Sequence, residues 1–129
     1  MAWPTLLFPN PVDPTRLSRD PAVAAAYLAD PLVSRRVSAR WFTEVTAAIA
    51  RVHERAPRLS VPVLLMVSGD DRIVDPEATM RFARHAPAAL LELVRWEGFF
   101  HEMFNEPDRE EVFRRMDAWL DARIPRPRL

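Results

Sequence analysis

From Pro62 to Val67 the chain reads Pro-Val-Leu-Leu-Met-Val with no polar interruption, and Ser68-Gly69 closes the run. A continuous apolar segment this short, bounded by turn residues, predicts a strand buried on both faces. A second short, mainly apolar segment, Leu90 to Trp96, follows Pro87, is read as another strand and is broken by Gly98. Between them, Asp75-Pro76 sets an N-cap residue ahead of a proline at the first helical position, which opens a helix through about His85. Strand, helix and strand in that order predict parallel neighbours joined by a crossover, the repeating unit of an α/β layered fold.

The remaining punctuation is proline. Pro4, Pro9, Pro11, Pro14, Pro21 and Pro31 fix φ and remove amide donors, so the first 31 residues are expected to hold only short pieces of helix. Asp20-Pro21 starts one of these, over the alanine-rich segment Ala22 to Ala29, and Asp30-Pro31 closes it. Beyond Ser38, the positions Phe42, Val45, Ile49 and Val52 recur at the helical period, which predicts one amphipathic helix to about Glu54, ended by Pro57. From Pro107, the residues Val112, Phe113, Met116, Trp119 and Leu120 mark one face of a last helix reaching about Arg123, after which Pro125 and Pro127 predict an irregular tail. Two strands cannot cover the apolar faces of four helices, and a two-stranded parallel sheet leaves both outer edges open. The sheet is therefore expected to be incomplete, or to pair with something else.

At 129 residues the chain makes one modest domain. Its net charge is near zero, with 49% hydrophobic and 28% charged residues, a balance that gives no electrostatic footing for nucleic acid or an anionic membrane. It has no cysteine, which removes disulfides, thiolate metal sites and a cysteine nucleophile, and no apolar run approaches the roughly 20 residues of a membrane span. A cytoplasmic protein without a stable membrane anchor is expected. All eighteen basic residues are arginine, a bias of composition more than of function.

Functional side chains in an open parallel sheet collect in the loops beyond the carboxyl ends of the strands. Two such loops exist here, Ser68-Gly69-Asp70-Asp71-Arg72-Ile73-Val74-Asp75 and Glu97-Gly98-Phe99-Phe100-His101-Glu102. If their strands are neighbours, about 4.8 Å apart, a carboxylate of the first can reach the imidazole of the second, as an acid that orients a histidine base must. Taken alone, Asp71 also fits a turn aspartate bonding its own backbone, and His101 a loop histidine. His53 and His85 fall on helices and read as structural. The carboxylates Asp70, Asp71 and Asp75 lack a calcium-loop register, and no metal is expected. Glu102 and Glu106 could hold the histidine loop or cap the last helix, with capping the expected role. Trp41, Phe42, Phe99 and Phe100 could line an acyl pocket, although core packing is the default for aromatic residues.

The string Val61-Pro62-Val63-Leu64-Leu65-Met66-Val67-Ser68-Gly69-Asp70-Asp71-Arg72-Ile73-Val74-Asp75 resembles the acid-bearing strand and turn of the monoacylglycerol lipase and lysophospholipase branch of the α/β-hydrolases, a branch that includes serine aminopeptidases. Gly98-Phe99-Phe100-His101-Glu102, followed by Asn105-Glu106, resembles its histidine turn. Phe8-Pro9-Asn10-Pro11-Val12-Asp13-Pro14, Leu17-Ser18-Arg19-Asp20-Pro21 and Asp30-Pro31-Leu32-Val33 are similar to its cap, or lid, with Ser34 departing from the histidine often found there. The resemblance implies the C-terminal part of the α/β-hydrolase fold: the last two parallel strands with flanking helices, preceded by part of the helical cap. Residues 1–37 would be the cap remnant and 38–129 the core. It makes Asp71 the triad acid and His101 the triad base, with Asp70 and Asp75 in flanking positions, no cofactor, and a small ester or lipid substrate.

The same resemblance exposes a gap. The family nucleophile sits in a Gly-x-Ser-x-Gly turn, and an amide of the oxyanion hole follows it. Gly69 and Gly98 are the only glycines, and none of Ser18, Ser34, Ser38, Ser60 and Ser68 is flanked by glycine at both offsets. Ser68 lies on the acid's own turn, a poor place from which to attack a bound acyl group. The expected function is thus that of a serine-hydrolase fragment, inactive alone. The alternative is a non-catalytic interaction protein that self-associates or docks a separate N-terminal half through its open sheet edge.

Overall fold

The structure, a computed structural model, describes residues 3–124. The expected tail at Pro125 and Pro127 lies outside the described residues. Among the described residues, four α-helices and two small sheets are laid out in the order β1 (Leu7–Pro9), α1 (Pro21–Ala29), β2 (Arg36–Ser38), α2 (Ala39–Arg55), β3 (Val63–Ser68), α3 (Pro76–His85), β4 (Leu91–Trp96) and α4 (Arg109–Asp121).

Strands β3 and β4 are parallel and paired without a slip from Val63↔Leu91 to Ser68↔Trp96, so Gly69 and Glu97 leave the sheet side by side. The intervening helix starts as its sequence directs: Asp75 Oδ1 accepts the Glu77 amide at 2.9 Å and Pro76 takes the first helical position. Asp20 and Pro21 do the same for α1, with Asp20 Oδ1 accepting the Ala22 amide at 2.9 Å. Ser38 caps α2 through the Trp41 amide, and that helix passes into a short 3-10 turn at Ala56–Arg58, which contains Pro57. Arg115 of α4 and Arg123, just beyond its end, both pair with Glu92 of β4 and tie that helix to the sheet.

The proline-rich beginning differs from its expectation. Besides helix it forms β1, which pairs antiparallel with β2 (Leu7↔Ser38, Phe8↔Val37, Pro9↔Arg36) and is extended by Asn10 N–H to Arg35 O and Ala39 N–H to Leu6 O. Three-residue strands carry no period to detect, and their stability comes from a partner nearly thirty residues away. The boundary drawn between residues 37 and 38 falls inside β2.

Burial also departs from the reading of β3 as covered on both faces. Only Val67 and Ser68 of that strand are buried, the rest being half-buried. Among the described residues the buried apolar side chains are Leu17, Ala56, Val67, Phe99 and Val112, a small core for a chain so rich in apolar residues. The missing coverage is located. The apolar stripe of α2 is uncovered, with Phe42, Ile49 and Val52 each more than half exposed. With Leu65 of β3, Val74 of the loop after it and Phe82 of α3, the Val45, Ile49 and Val52 stripe walls an open apolar groove of about 740 Å³. The sheet order is β3-β4 alone, so each strand has one unpaired edge among the described residues. No helix of the described residues is long and apolar enough to cross a membrane.

Candidate active site

The register of β3 and β4 brings the two loops together, and backbone bonds lock them. Gly69 N–H donates to Trp96 O at 2.8 Å, and Asp70 N–H donates to Phe99 O at 3.0 Å. Glycine suits position 69, since a Cβ there would crowd the backbone at 3.0 Å from Trp96 O and 3.1 Å from Glu97 Cα. Gly98 turns the second loop with φ of +77°, a conformation that side chains disfavour.

Asp71 uses its two oxygens differently. Oδ1 accepts the amides of Ile73 at 2.8 Å and Val74 at 3.0 Å, fixing the turn. Oδ2 lies 2.8 Å from His101 Nδ1. The turn role and the histidine-orienting role, posed as alternatives from the sequence, therefore coexist in one side chain. A carboxylate can only accept, so the Nδ1 atom carries the proton, and the Nε2 lone pair of the neutral ring is left for other use. The Asp71 side chain is 7% exposed, whereas that of His101 is 34% exposed, so the carboxylate is anchored inside while the imidazole is reached by solvent. Arg72 lies over the Phe100 ring, 5.3 Å from its centre, beside the pair.

The loop that carries His101 is held from a distance. Glu106 is completely buried, and its Oε1 accepts the Phe100 amide at 2.7 Å. Its Oε2 receives Arg19 Nε at 2.7 Å, and the Arg19 amide approaches both oxygens at 3.4 Å. This corrects the expectation for Glu106: it holds the histidine loop and does not cap α4 with its side chain, because the carboxylate is turned inward to the Phe100 amide and the Arg19 guanidinium. Glu102 likewise caps nothing with its side chain, and accepts Asn105 Nδ2 at 2.7 Å instead. The other arm of Arg19 reaches Asp108 at 2.8 Å. Hydrogen bonds to Glu106 first, then to Asp108, hold the Arg19 guanidinium above its ordinary range. Arg19 and Ser18, whose Oγ donates to Asn105 O at 2.9 Å, are not marked as site residues by any signal in the sequence. Their partners lie 87 positions away, a separation no local pattern reveals.

The other candidates separate from this site. His53 packs edge-on against Phe82, and His85 bonds Arg81 O through Nδ1 at 2.8 Å, both on helices. Asp75 is the α3 cap, and its carboxyl is held below the usual range, chiefly by a hydrogen bond from Arg81. Among the described residues no three His, Asp or Glu side chains converge as metal ligands. Phe99 is buried and stacks on Trp96, while Trp41 and Phe42 line a different groove with Phe8 and Val37, so the four aromatic residues form no common pocket. Ser68 Oγ is buried with no hydrogen-bond partner among the described residues, and is not engaged by His101.

Residues 1–108 match the model of the family described as serine aminopeptidase, S33. The chain belongs to this family. It is 38% identical over 109 residues to phospholipase YtpA of Bacillus subtilis, covering 83% of this chain and 42% of that protein. It is 28% identical over 121 residues to monoacylglycerol lipase of Mycolicibacterium smegmatis, covering 88% of this chain and 41% of that one. In structure it is similar to monoacylglycerol lipase of Paleococcus ferrophilus, with a TM-score of 0.89 and 34% identity over 94% of this chain and 48% of the other. The chain thus spans less than half the length of these relatives. It is a C-terminal part of the α/β-hydrolase fold of the lipase and lysophospholipase type, and its incomplete sheet is what such a part contains.

Proposed function

We propose that Asp71 and His101 are the acid and base of a serine-hydrolase triad, completed by a nucleophile and an oxyanion hole from outside these 129 residues. The observation that carries this is the 2.8 Å contact between His101 Nδ1 and buried Asp71, with His101 partly accessible. In the completed site, His101 Nε2 takes the serine proton as the hydroxyl attacks an ester carbonyl. It then returns that proton to the leaving alcohol, while Asp71 stabilises the imidazolium. The names of two relatives, a phospholipase and a monoacylglycerol lipase, favour a carboxylic ester of a lipid, of monoacylglycerol or lysophospholipid size on our reading, as substrate. Residues 1–37 then serve as cap and 38–129 as core, working in the cytoplasm.

A polypeptide of these 129 residues alone is expected to hydrolyse no ester and to take up no fluorophosphonate. Serine labelling of the purified chain, mapped by mass spectrometry, would overturn the proposal. Labelling that appears only when a Gly-x-Ser-x-Gly half is added would support it.

A second reading has its own observations, the uncovered α2 stripe and, among the described residues, the unpaired edge of β3. On this reading the chain is a non-catalytic interaction protein, seated on a separate N-terminal half or on itself. Sizing by light scattering is expected to show self-association of the isolated chain, reduced by Ile49→Arg in the centre of the groove. A monodisperse monomer of the unaltered chain would count against this reading.

A further inference from the structure

We propose that Glu106, clamped by Arg19, is a positioning residue for His101. The inference rests on His101 being the base of the site, and it follows from where the loop's amides find their partners. Phe100, His101 and Glu102 lie between strand and helix, where no ladder satisfies their N–H groups, and a buried amide without a partner is costly. Each donates to a group outside the loop: Phe100 to Glu106 Oε1 at 2.7 Å, His101 to Arg16 O at 3.5 Å, and Glu102 to Leu17 O at 2.7 Å. The histidine loop is thus suspended between residues 16–19 and residue 106. Glu106 is the member that touches both sides, accepting from Phe100 with one oxygen and from Arg19 Nε with the other.

The arrangement is built for rigidity. A carboxylate with no solvent contact is held by charge-assisted bonds, whose direction is fixed by the planar guanidinium. That guanidinium also lies over the Phe99 ring, 4.8 Å from its centre, so the residues on both sides of the Phe99–Phe100 peptide are restrained by the same pair. Asp20 N–H donates to Ser18 Oγ at 3.0 Å and α1 begins at Pro21, so the clamp is continuous with the first turn of that helix. Asp71 sets the imidazole from one side; Glu106 sets the backbone from which the imidazole hangs.

The test uses the 129-residue chain and needs no activity. Long-range proton–nitrogen NMR of neutral histidine reports the tautomer of each ring, and amide exchange reports the loop. In the unaltered protein His101 is expected to carry its proton on Nδ1. In Glu106→Gln, whose amide group faces Arg19 with donors, the Phe100 and Glu102 amides are expected to exchange at least about tenfold faster. His101 is expected to shift toward the Nε2–H form, while His85, bonded through Nδ1 to Arg81 O, stays as it was. Arg19→Lys keeps the charge without the fork; it is expected to change both readouts in the same direction by less, and stands in if Glu106→Gln does not fold. Val112→Ala, a core truncation on α4, is expected to lower stability without moving the tautomer. An unchanged tautomer and unchanged exchange in a folded Glu106→Gln, or in Arg19→Lys if that alone folds, overturns the proposal. So does a Val112→Ala shift as large as that of Glu106→Gln. A His101 with no Nδ1–H preference in the unaltered protein overturns both this inference and the pairing with Asp71, which separates the two failures.

Discussion

Fused behind a lipase half that carries the Gly-x-Ser-x-Gly turn, this chain is expected to lose on the order of 10⁴-fold in kcat on Asp71→Asn, with KM little changed. The reason lies in the division of labour between the two carboxylate oxygens. Oδ1 accepts two amides, those of Ile73 and Val74, so an asparagine at this position keeps its carbonyl oxygen there and turns its NH₂ toward His101. His101 Nδ1 must then accept, which puts the ring proton on Nε2, the atom that has to be bare to receive the serine proton. The turn survives and the base is disabled. Asp71→Ala would lose the turn acceptors as well, so its effect would mix stability with chemistry. The first half of the Paleococcus ferrophilus lipase is a suitable donor, because its remainder superposes on this chain with a TM-score of 0.89. Turnover of a chromogenic ester measures the effect, and a loss of less than about tenfold would remove Asp71 from the triad.

Much of that site can be read from the residues alone because its determinants are local. Pro62 to Val67 and Leu90 to Trp96 have the composition of sheet strands, Asp75-Pro76 starts the crossover between them, and the loops after both strands must then be neighbours. That geometry lets a carboxylate reach an imidazole, and it is the likeness of the turns to a known branch that singles out Asp71 and His101. What stays hidden depends on distant partners. Strands β1 and β2 are stable only as a pair, and Pro9 in β1 argues against a strand when β2 is out of view. Glu106 reads as a helix-capping carboxylate because a helix start lies three residues on. Its inward turn is decided by Arg19, 87 positions earlier. The spacing of Phe42, Ile49 and Val52 identifies one face of a helix, but the period cannot say whether anything covers that face.

Arg19→Ala is expected to destabilise the isolated chain by about 3 kcal/mol, the low end of what removing one partner of a buried ion pair costs. The penalty is not the value of the pair itself. Glu106 has no exposure to solvent, so without Arg19 its charge keeps only the Phe100 amide as a strong partner. The contact of Arg19 with exposed Asp108 adds at most about 1 kcal/mol, and its position over Phe99 adds a similar amount. Removing the charge together with its partner, in Arg19→Met with Glu106→Gln, is expected to cost less than Arg19→Ala. No buried carboxylate is then left alone, and the amide carbonyl of the introduced glutamine can still accept from Phe100. A double-mutant cycle in urea isolates the coupling, with the midpoint read at constant slope. Small domains hold only about 5–15 kcal/mol in reserve, and the sparse core of this one argues for the lower end, so the single substitution alone should leave the chain only marginally folded. A loss below about 1 kcal/mol would rank Arg19 with ordinary surface pairs such as Arg40 and Glu44, and would mean that Glu106 is satisfied by the loop amides without it.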